Sequence, residues 1–225
     1  KTENHYGGGD YWVVKTDSIG VIQWQNTIGG SELDELHTIA KTSDGGYIIG
    51  GRSDSNISGD KTENCIAYSY DCWIIKLDGF GSIQWQNTIG GDSTDNLYSL
   101  QQTTDGGYIL GGFSISSISG DKTEYLIGGS DYWVVKLDAS GNIQWQNTIG
   151  GDFDDDLRYI QQTTDGGYIL GGFSESSISG DKTENSQGNF DYWVIKLYPS
   201  GNIQWQNTIG GNDVDWLQSI QQTID

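Results

Sequence analysis

Residues 131–151, DYWVVKLDASGNIQWQNTIGG, decide the fold, because this stretch occurs four times in the chain with small changes. The copies begin at Asp10, Asp71, Asp131 and Asp191, which are 60 or 61 residues apart. The second half, IQWQNTIGG, is identical in all four copies. A fixed period of this length is the sequence signature of a repeat architecture. We therefore treat residues 1–225 as a single repeat array.

The composition favours short strands. The 225 residues include 34 glycines, 9 tryptophans and 13 tyrosines but only 1 proline, which suits many strands separated by glycine turns. The net charge of −20 makes nucleic acid and anionic membrane surfaces poor partners, since Lys and Arg bind both. No apolar run approaches the roughly 20 residues of a membrane span. The chain begins at Lys1, and we expect a mature protein or a fragment.

Each repeat is predicted to contain four strands, which in the first copy are 10–16, 22–28, 36–42 and 47–51. The first of these is apolar on both faces and is expected to be covered on both sides. The second alternates apolar and polar residues, as an outer strand does. The sequence Asp44-Gly45-Gly46 predicts a tight turn between the last two strands. A further copy of the third strand is predicted at residues 217–223.

Four strands that follow one another in 60 residues form a meander, and meanders repeated around an axis are the blades of a β-propeller. A β-solenoid is the alternative. The predicted fold class is all-β, a propeller of four-stranded antiparallel blades, with three complete blades and one split, incomplete blade in this chain. An incomplete blade exposes a strand edge that is ready to pair. We therefore expect self-association through the terminal strands.

The unit DDLRYIQQTTDGGYILGGFS followed by DYWVVKLDASGNIQWQNTIGG resembles the roughly 60-residue β-propeller repeats of large secreted bacterial proteins, with a kelch-like layout. The resemblance covers essentially the whole chain. It implies an extracellular or cell-surface location. It also implies that the strand containing Leu157 is innermost, followed outward by those containing Tyr168, Asp131 and Ile143. Tight turns then lie on one face, and the acidic loops and the ISGDKTE loops lie on the other.

Recognition usually concentrates on loops that a rigid scaffold holds. The ISGDKTE segment is identical in three long loops and is followed by a variable tail. This pattern fits either a binding loop that a constant segment holds in place or a surface loop whose sequence varies freely. A glycan or a cell-surface protein is the expected kind of partner. The aromatic residues predicted to contact it are Tyr68, Tyr70, Tyr125, Phe153, Phe190 and Trp216. The tryptophans of the IQWQNTIGG segments, in contrast, are expected to fill the space between blades.

Carboxylates recur in the acidic loops, where Asp34, Asp95, Asp155 and Asp215 occupy the same slot, two residues before a leucine. Such a side chain either accepts backbone N–H bonds and fixes the loop, or ligates calcium. The densest cluster is Asp152, Asp154, Asp155 and Asp156. Calcium is the one cofactor that the sequence suggests.

Two cysteines, Cys65 and Cys72, lie close together in sequence. A disulfide between them would stabilise the fold by roughly 2–3 kcal/mol and would indicate an oxidising compartment. Free thiols are the alternative.

Catalytic signatures are missing from the sequence. His5 and His37 are the only histidines, and no nucleophile elbow, HExxH or P-loop motif occurs. We expect an extracellular structural or adhesive repeat protein rather than an enzyme. The alternative is a lectin-like carbohydrate-binding propeller, with or without calcium, and a glycan-acting enzyme ranks third.

Overall fold

The computed structural model describes residues 5–223, and this part of the chain is all-β. None of these residues forms a helix of the length and apolarity needed to cross a membrane. The strands are β1 (Tyr11–Thr16), β2 (Ile22–Ile28), β3 (Asp34–Lys41), β4 (Tyr47–Ser53), β5 (Asp71–Leu77), β6 (Ile83–Ile89), β7 (Asp95–Gln102), β8 (Tyr108–Ser114), β9 (Asp131–Leu137), β10 (Ile143–Ile149), β11 (Asp155–Gln162), β12 (Tyr168–Ser174), β13 (Asp191–Leu197) and β14 (Ile203–Ile209).

The strands form antiparallel sheets in chain order. β3–β6, β7–β10 and β11–β14 are four-stranded meanders, which we call blades 1, 2 and 3. β1 and β2 form a two-stranded sheet, the half-blade, which corresponds to the third and fourth strands of a blade. The predicted propeller-type architecture, with three complete blades and one incomplete blade, is confirmed.

Tight turns and long loops lie at opposite ends of the blades, because each antiparallel strand reverses the chain. In the turn after β3, the Thr42 amide donates to the Gly46 carbonyl at 2.9 Å, and Gly45 adopts a φ of 86° that glycine tolerates best. The Asp44 carboxylate accepts from the Gly46 amide and pairs with Lys76 at 2.8 Å. We call the opposite side, which carries the acidic loops and the ISGDKTE loops, the loop face.

The first strand of each blade lies on the inside of the array, in agreement with the predicted strand order. β3 contacts β7, and β7 contacts β11. The Ile160 amide donates a hydrogen bond to the Ser99 hydroxyl at 3.2 Å. The Gln162 amide donates one to the side-chain carbonyl of Gln101 at 2.9 Å. The glutamine pairs of the repeat thus tie neighbouring first strands together.

The hydrophobic core lies between successive blades. Tyr132 and Val134 of blade 2 pack with Trp193 and Ile195 of blade 3 in one cluster, and similar clusters fill the other junctions. The tryptophan of the IQWQNTI strand reaches the next blade, as predicted. The ring pairs are Trp24 with Tyr47, Trp85 with Tyr108, and Trp145 with Tyr168, with centroids 5.7–5.8 Å apart and edge-to-face geometry.

Close packing requires glycine at both positions of the pair in each YILGGFS strand. A Cβ on Gly111 would lie 2.8 Å from the Leu157 side chain of the next blade. A Cβ on Gly112 would overlap the carbonyl oxygen of Asn96 on the neighbouring strand. The first glycine therefore admits the next blade, and the second admits the adjacent strand of its own sheet.

The predicted strand at residues 217–223, which we call the end segment, does not form a strand in the structure. The segment still packs like a first strand, since Leu217 is 8% exposed and approaches Gly171 of blade 3. The Gln222 amide donates to the Gln161 side chain at 3.2 Å, as equivalent residues do between blades. The prediction was wrong because a strand needs a paired neighbour, and no YILGGFS strand lies beside this segment in the described residues.

Candidate functional site

The two glycines of each IGG sequence, which form the corner after the last strand of a sheet, make room for two side chains of the loop face. A Cβ on Gly90 would overlap the Asp71 carboxylate, and one on Gly91 would lie 2.5 Å from the Ser116 Cβ. The same relations recur at the equivalent glycines of the other internal corners. The Asp71 carboxylate accepts the Ile66 amide at 2.5 Å and so anchors the variable tail of the long loop.

The carboxylates that begin the first strands fix the acidic loops. Asp95 accepts from the Gly91 amide at 2.6 Å and from the Ser116 hydroxyl at 2.9 Å. Asp34 and Asp155 make the equivalent pairs of bonds, and Asp215 accepts the Gly211 amide at 2.8 Å. The predicted loop-fixing role of this slot is confirmed.

The identical ISGDKTE segment is a structural part of the loop face. In the first copy, the Asp60 amide donates to the Gly29 carbonyl at 2.8 Å, and the Gln86 side chain donates to the Asp60 carbonyl at 2.7 Å. The Glu63 carboxylate accepts the Thr88 amide at 2.6 Å. These bonds tie the segment to the end of the preceding sheet and to the fourth strand of its own blade, and this explains why it does not vary.

The lysine of each ISGDKTE segment is buried. Lys61, Lys122 and Lys182 are 1–2% exposed. The Lys61 ammonium donates to the Thr88 hydroxyl at 2.8 Å and lies 5.0 Å from the Trp73 ring centroid. Each lysine interacts with two buried carboxylates, one from the first strand and one from the third strand of its blade. We call this set the charge belt, and it consists of Lys61, Lys122, Lys182, Asp34, Asp71, Asp95, Asp131, Asp155 and Asp191.

Burial shifts the pKa values of several residues of the charge belt. It raises the pKa of Asp71 to about 7 and the pKa values of Asp131 and Asp155 to about 6. It lowers the pKa of Lys122, which the neighbouring carboxylates partly restore. Since an unfolded aspartate has a pKa of about 3.9, the folded state binds protons more tightly. This effect makes the free energy of unfolding fall as the pH rises from about 4 to about 7.

The carboxylates predicted as calcium ligands are engaged with different partners. Asp155 belongs to the charge belt, and Asp156 pairs with Arg158 at 3.0 Å and accepts from the Ser130 hydroxyl at 2.8 Å. Asp152 and Asp154 are exposed. Within residues 5–223, no group of three His, Cys, Asp or Glu side chains is arranged to hold a metal ion. Calcium binding stays a prediction to which the structure assigns no site.

A second feature of the loop face lies at the innermost strands, where each ladder contains a β-bulge. The extra residues are His37, Tyr98 and Arg158, and they differ between the three repeats. The His37 ring stacks on Tyr98 with centroids 4.9 Å apart. The Arg158 guanidinium lies 4.1 Å from the Tyr98 ring and 4.9 Å from the Phe173 ring. A bulge commonly re-aims a side chain at a functional position.

Two of the six predicted ligand-contacting aromatics pack on Phe173, the ring that Arg158 also contacts, and a third packs on Arg52. Trp216 is 58% exposed and packs on Phe173 with centroids 5.9 Å apart, and Phe190 meets the same ring edge-on at 5.4 Å. Tyr70 lies under the Arg52 guanidinium at 4.5 Å. We call His37, Tyr98, Arg158, Phe173 and Trp216 the bulge cluster. The other three predicted aromatics, Tyr68, Tyr125 and Phe153, are exposed on separate loops.

The predicted disulfide is not formed in the structure, in which Cys65 and Cys72 are free and buried. The Cys65 thiol lies in the long loop, 3.3 Å from the Asp54 carbonyl. Cys72 belongs to β5 and packs in the core between blades 1 and 2 with Ile74 and Ile89. The two side chains lie in different environments, so the inference of an oxidising compartment loses its support.

Sequence reasoning missed the buried lysines and the bulged residues. Lys122 sits in a polar, glycine-rich loop, where a lysine is usually solvated, and its burial depends on segments far apart in the chain. The position of the bulged residues does vary between repeats, but the position that follows it varies equally, so the sequence did not single it out. No protein-family model and no curated protein matches this chain.

Proposed function

We propose that this protein is a structural repeat protein that associates head to tail through the two end faces of its blade array. An adhesive or scaffolding role outside the cell or at its surface belongs to the same proposal. One observation carries it: residues that are buried at every internal blade junction are exposed at the two ends. Equivalent residues at an internal junction therefore show which part of each end face a neighbouring blade would cover.

The trailing end of the array exposes the face that blade 3 would present to a next blade. Ile209 is 54% exposed, whereas its counterparts Ile28, Ile89 and Ile149 are each 1% exposed. Trp205 is 44% exposed, whereas Trp145 packs on the following blade. A blade of the same kind would fit this face.

The leading end exposes the complementary face on the half-blade. Trp12 is 47% exposed, and its counterparts Trp73 and Trp193 are fully buried against the preceding blade. Val14 is 37% exposed, whereas the equivalent Ile75 is fully buried. Because the two end faces match the two sides of an internal junction, contact between copies is heterologous and produces rings or filaments.

Variants at the two ends test this association. We expect the wild-type protein to form multiples of 24.7 kDa in sedimentation, increasing with concentration. Trp12→Asp and Ile209→Asp each place a charge in one end face and should abolish growth of the assembly. An equimolar mixture of the two variants should form dimers, because each variant keeps one intact end of opposite type.

Phe80→Asp serves as the matched control, because Phe80 is 85% exposed in a tight turn outside both end faces, and this variant should assemble like the wild type. A wild-type protein that stays monomeric from micromolar to millimolar concentrations would contradict the proposal.

Carbohydrate binding at the bulge cluster is the second candidate. It is favoured by exposed rings on the loop face, where His37 stacks on the half-buried Tyr98 and Trp216 packs on Phe173. Aromatic faces of this kind can stack on sugars. We expect a glycan array to yield a signal that Trp216→Ala weakens and Phe80→Ala leaves unchanged. Repeating the array with a chelator tests the calcium-dependent version, and a silent array would remove this candidate.

A further inference from the structure

We propose that the end segment and blade 3 form a docking slot for one extended peptide strand of the GGYILGGFS type, supplied from outside the 225-residue chain. The inference deepens the proposed function, since it names a ligand for the trailing end face. It does not require that two copies associate.

The slot offers the hydrogen-bonding edge of a first strand, but the second strand that would pair with this edge is not among the described residues. In blade 3, β11 pairs with β12, and Leu157 faces Gly172, Ile160 faces Leu170, and Gln162 faces Tyr168. The end segment repeats the β11 residues at Leu217, Ile220 and Gln222, but it carries no ladder in the structure. Among the described residues its backbone makes no bond to another backbone group, so it can pair with an added strand, as an exposed sheet edge does.

The slot also has a pocket for the side chains of the added strand. A cavity of about 270 Å³ is lined by residues that include Ile169, Val194, Trp205 and Ile220. At the junction between blades 2 and 3, the equivalent residues surround Tyr168 and Leu170, which belong to the second strand of blade 3. The cavity thus corresponds to the position of a second-strand tyrosine, which would meet the exposed Trp205 as Tyr168 meets Trp145.

The slot requires a glycine at one position of the added strand. In blade 3, a Cβ on Gly172 would overlap the Asp156 carbonyl of the neighbouring first strand, whereas a Cβ on Gly171 would meet Leu217 of the following segment. In the docking slot, the neighbouring first strand is present as the end segment, but the described residues provide nothing beyond it. The second glycine of the added strand is therefore required there, and the first is not.

Three synthetic peptides test this prediction. They are the wild-type sequence of residues 163–174, TTDGGYILGGFS, and the same peptide with valine at the Gly171 or the Gly172 position. Each carries a fluorescent label, and binding is measured by anisotropy against the full chain in its Trp12→Asp form, in which the leading end is blocked. We expect the wild-type peptide and the Gly171→Val peptide to bind saturably. The Gly172→Val peptide should bind at least ten-fold more weakly.

The protein variant Trp205→Ala should weaken binding of the wild-type peptide, and Phe80→Ala should leave it unchanged. Absence of binding by the wild-type peptide, or equal binding by both valine peptides, would overturn the slot. The proposed self-association has a separate outcome, because it is measured by sedimentation without peptide. A monomeric wild-type chain that binds the peptide would reject the association alone, and an assembling chain that ignores the peptide would reject the slot alone.

Discussion

Replacing Lys122 by methionine is expected to lower the free energy of unfolding by about 3 kcal/mol at pH 8. Methionine fills a similar volume, but it leaves Asp95 and Asp131 buried without the ammonium group that balances them. The substitution also removes the donor to the Thr148 hydroxyl and the cation 5.7 Å from the Trp133 ring. Urea unfolding followed by tryptophan fluorescence measures the loss.

The loss should be smaller at pH 5 than at pH 8. Burial already raises the pKa of Asp131 to about 6, and removal of the ammonium group raises it further. At pH 5 this carboxyl is therefore mostly protonated in the folded variant, and little uncompensated charge remains. The wild-type protein should itself be more stable at pH 5 than at pH 8, because its raised carboxyl pKa values favour proton binding by the folded state.

Lys41→Met is the matched control, since it makes the same chemical change at an exposed residue near the end of β3. It should change the free energy of unfolding by less than about 0.5 kcal/mol at either pH. Equal effects of the two substitutions at pH 8 would show that the charge belt contributes nothing to stability beyond an exposed lysine.

Gly112→Ala is expected to destabilise the protein by about 3 kcal/mol or more. The added methyl group would overlap the Asn96 carbonyl oxygen, which belongs to the backbone of the neighbouring strand and cannot rotate away. The strand pair must separate at the bulge, and this disturbs the inner strand and the bulge cluster together. Thermal unfolding by circular dichroism measures the effect.

Gly211→Ala provides the comparison for this substitution. A Cβ at that position would meet only one atom, an Asp215 carboxylate oxygen at 3.8 Å. We expect its melting temperature to stay within a few degrees of the wild-type value. If Gly112→Ala melts at the same temperature as Gly211→Ala, the close approach at the bulge is not a constraint on the sequence.

The fold was predictable because its signals are local and repeated. The alternation in IQWQNTI, the Asp-Gly-Gly turn and the fixed period each depend on residues close in sequence, and every repeat provides the same signals again. The positions of the loop-fixing aspartates were predictable for the same reason, since Asp95 bonds to an amide only four residues away.

The candidate site was predictable only in part. The loop face followed from the strand order, but the stacking of His37 on Tyr98 joins residues of neighbouring repeats. The disulfide prediction was wrong for a related reason. Closeness of Cys65 and Cys72 in sequence does not reveal that one side chain faces a loop and the other faces a core between blades.

The sequence by itself determined the all-β class, the strand order, the turns and the division into blades, because these depend on short-range periodicity and glycine placement. Tertiary structure alone decided which polar groups are buried, which glycines are required and which apolar residues stay uncovered at the two ends. Those properties depend on what the neighbouring blade contributes: the same isoleucine is buried at position 149 and exposed at position 209.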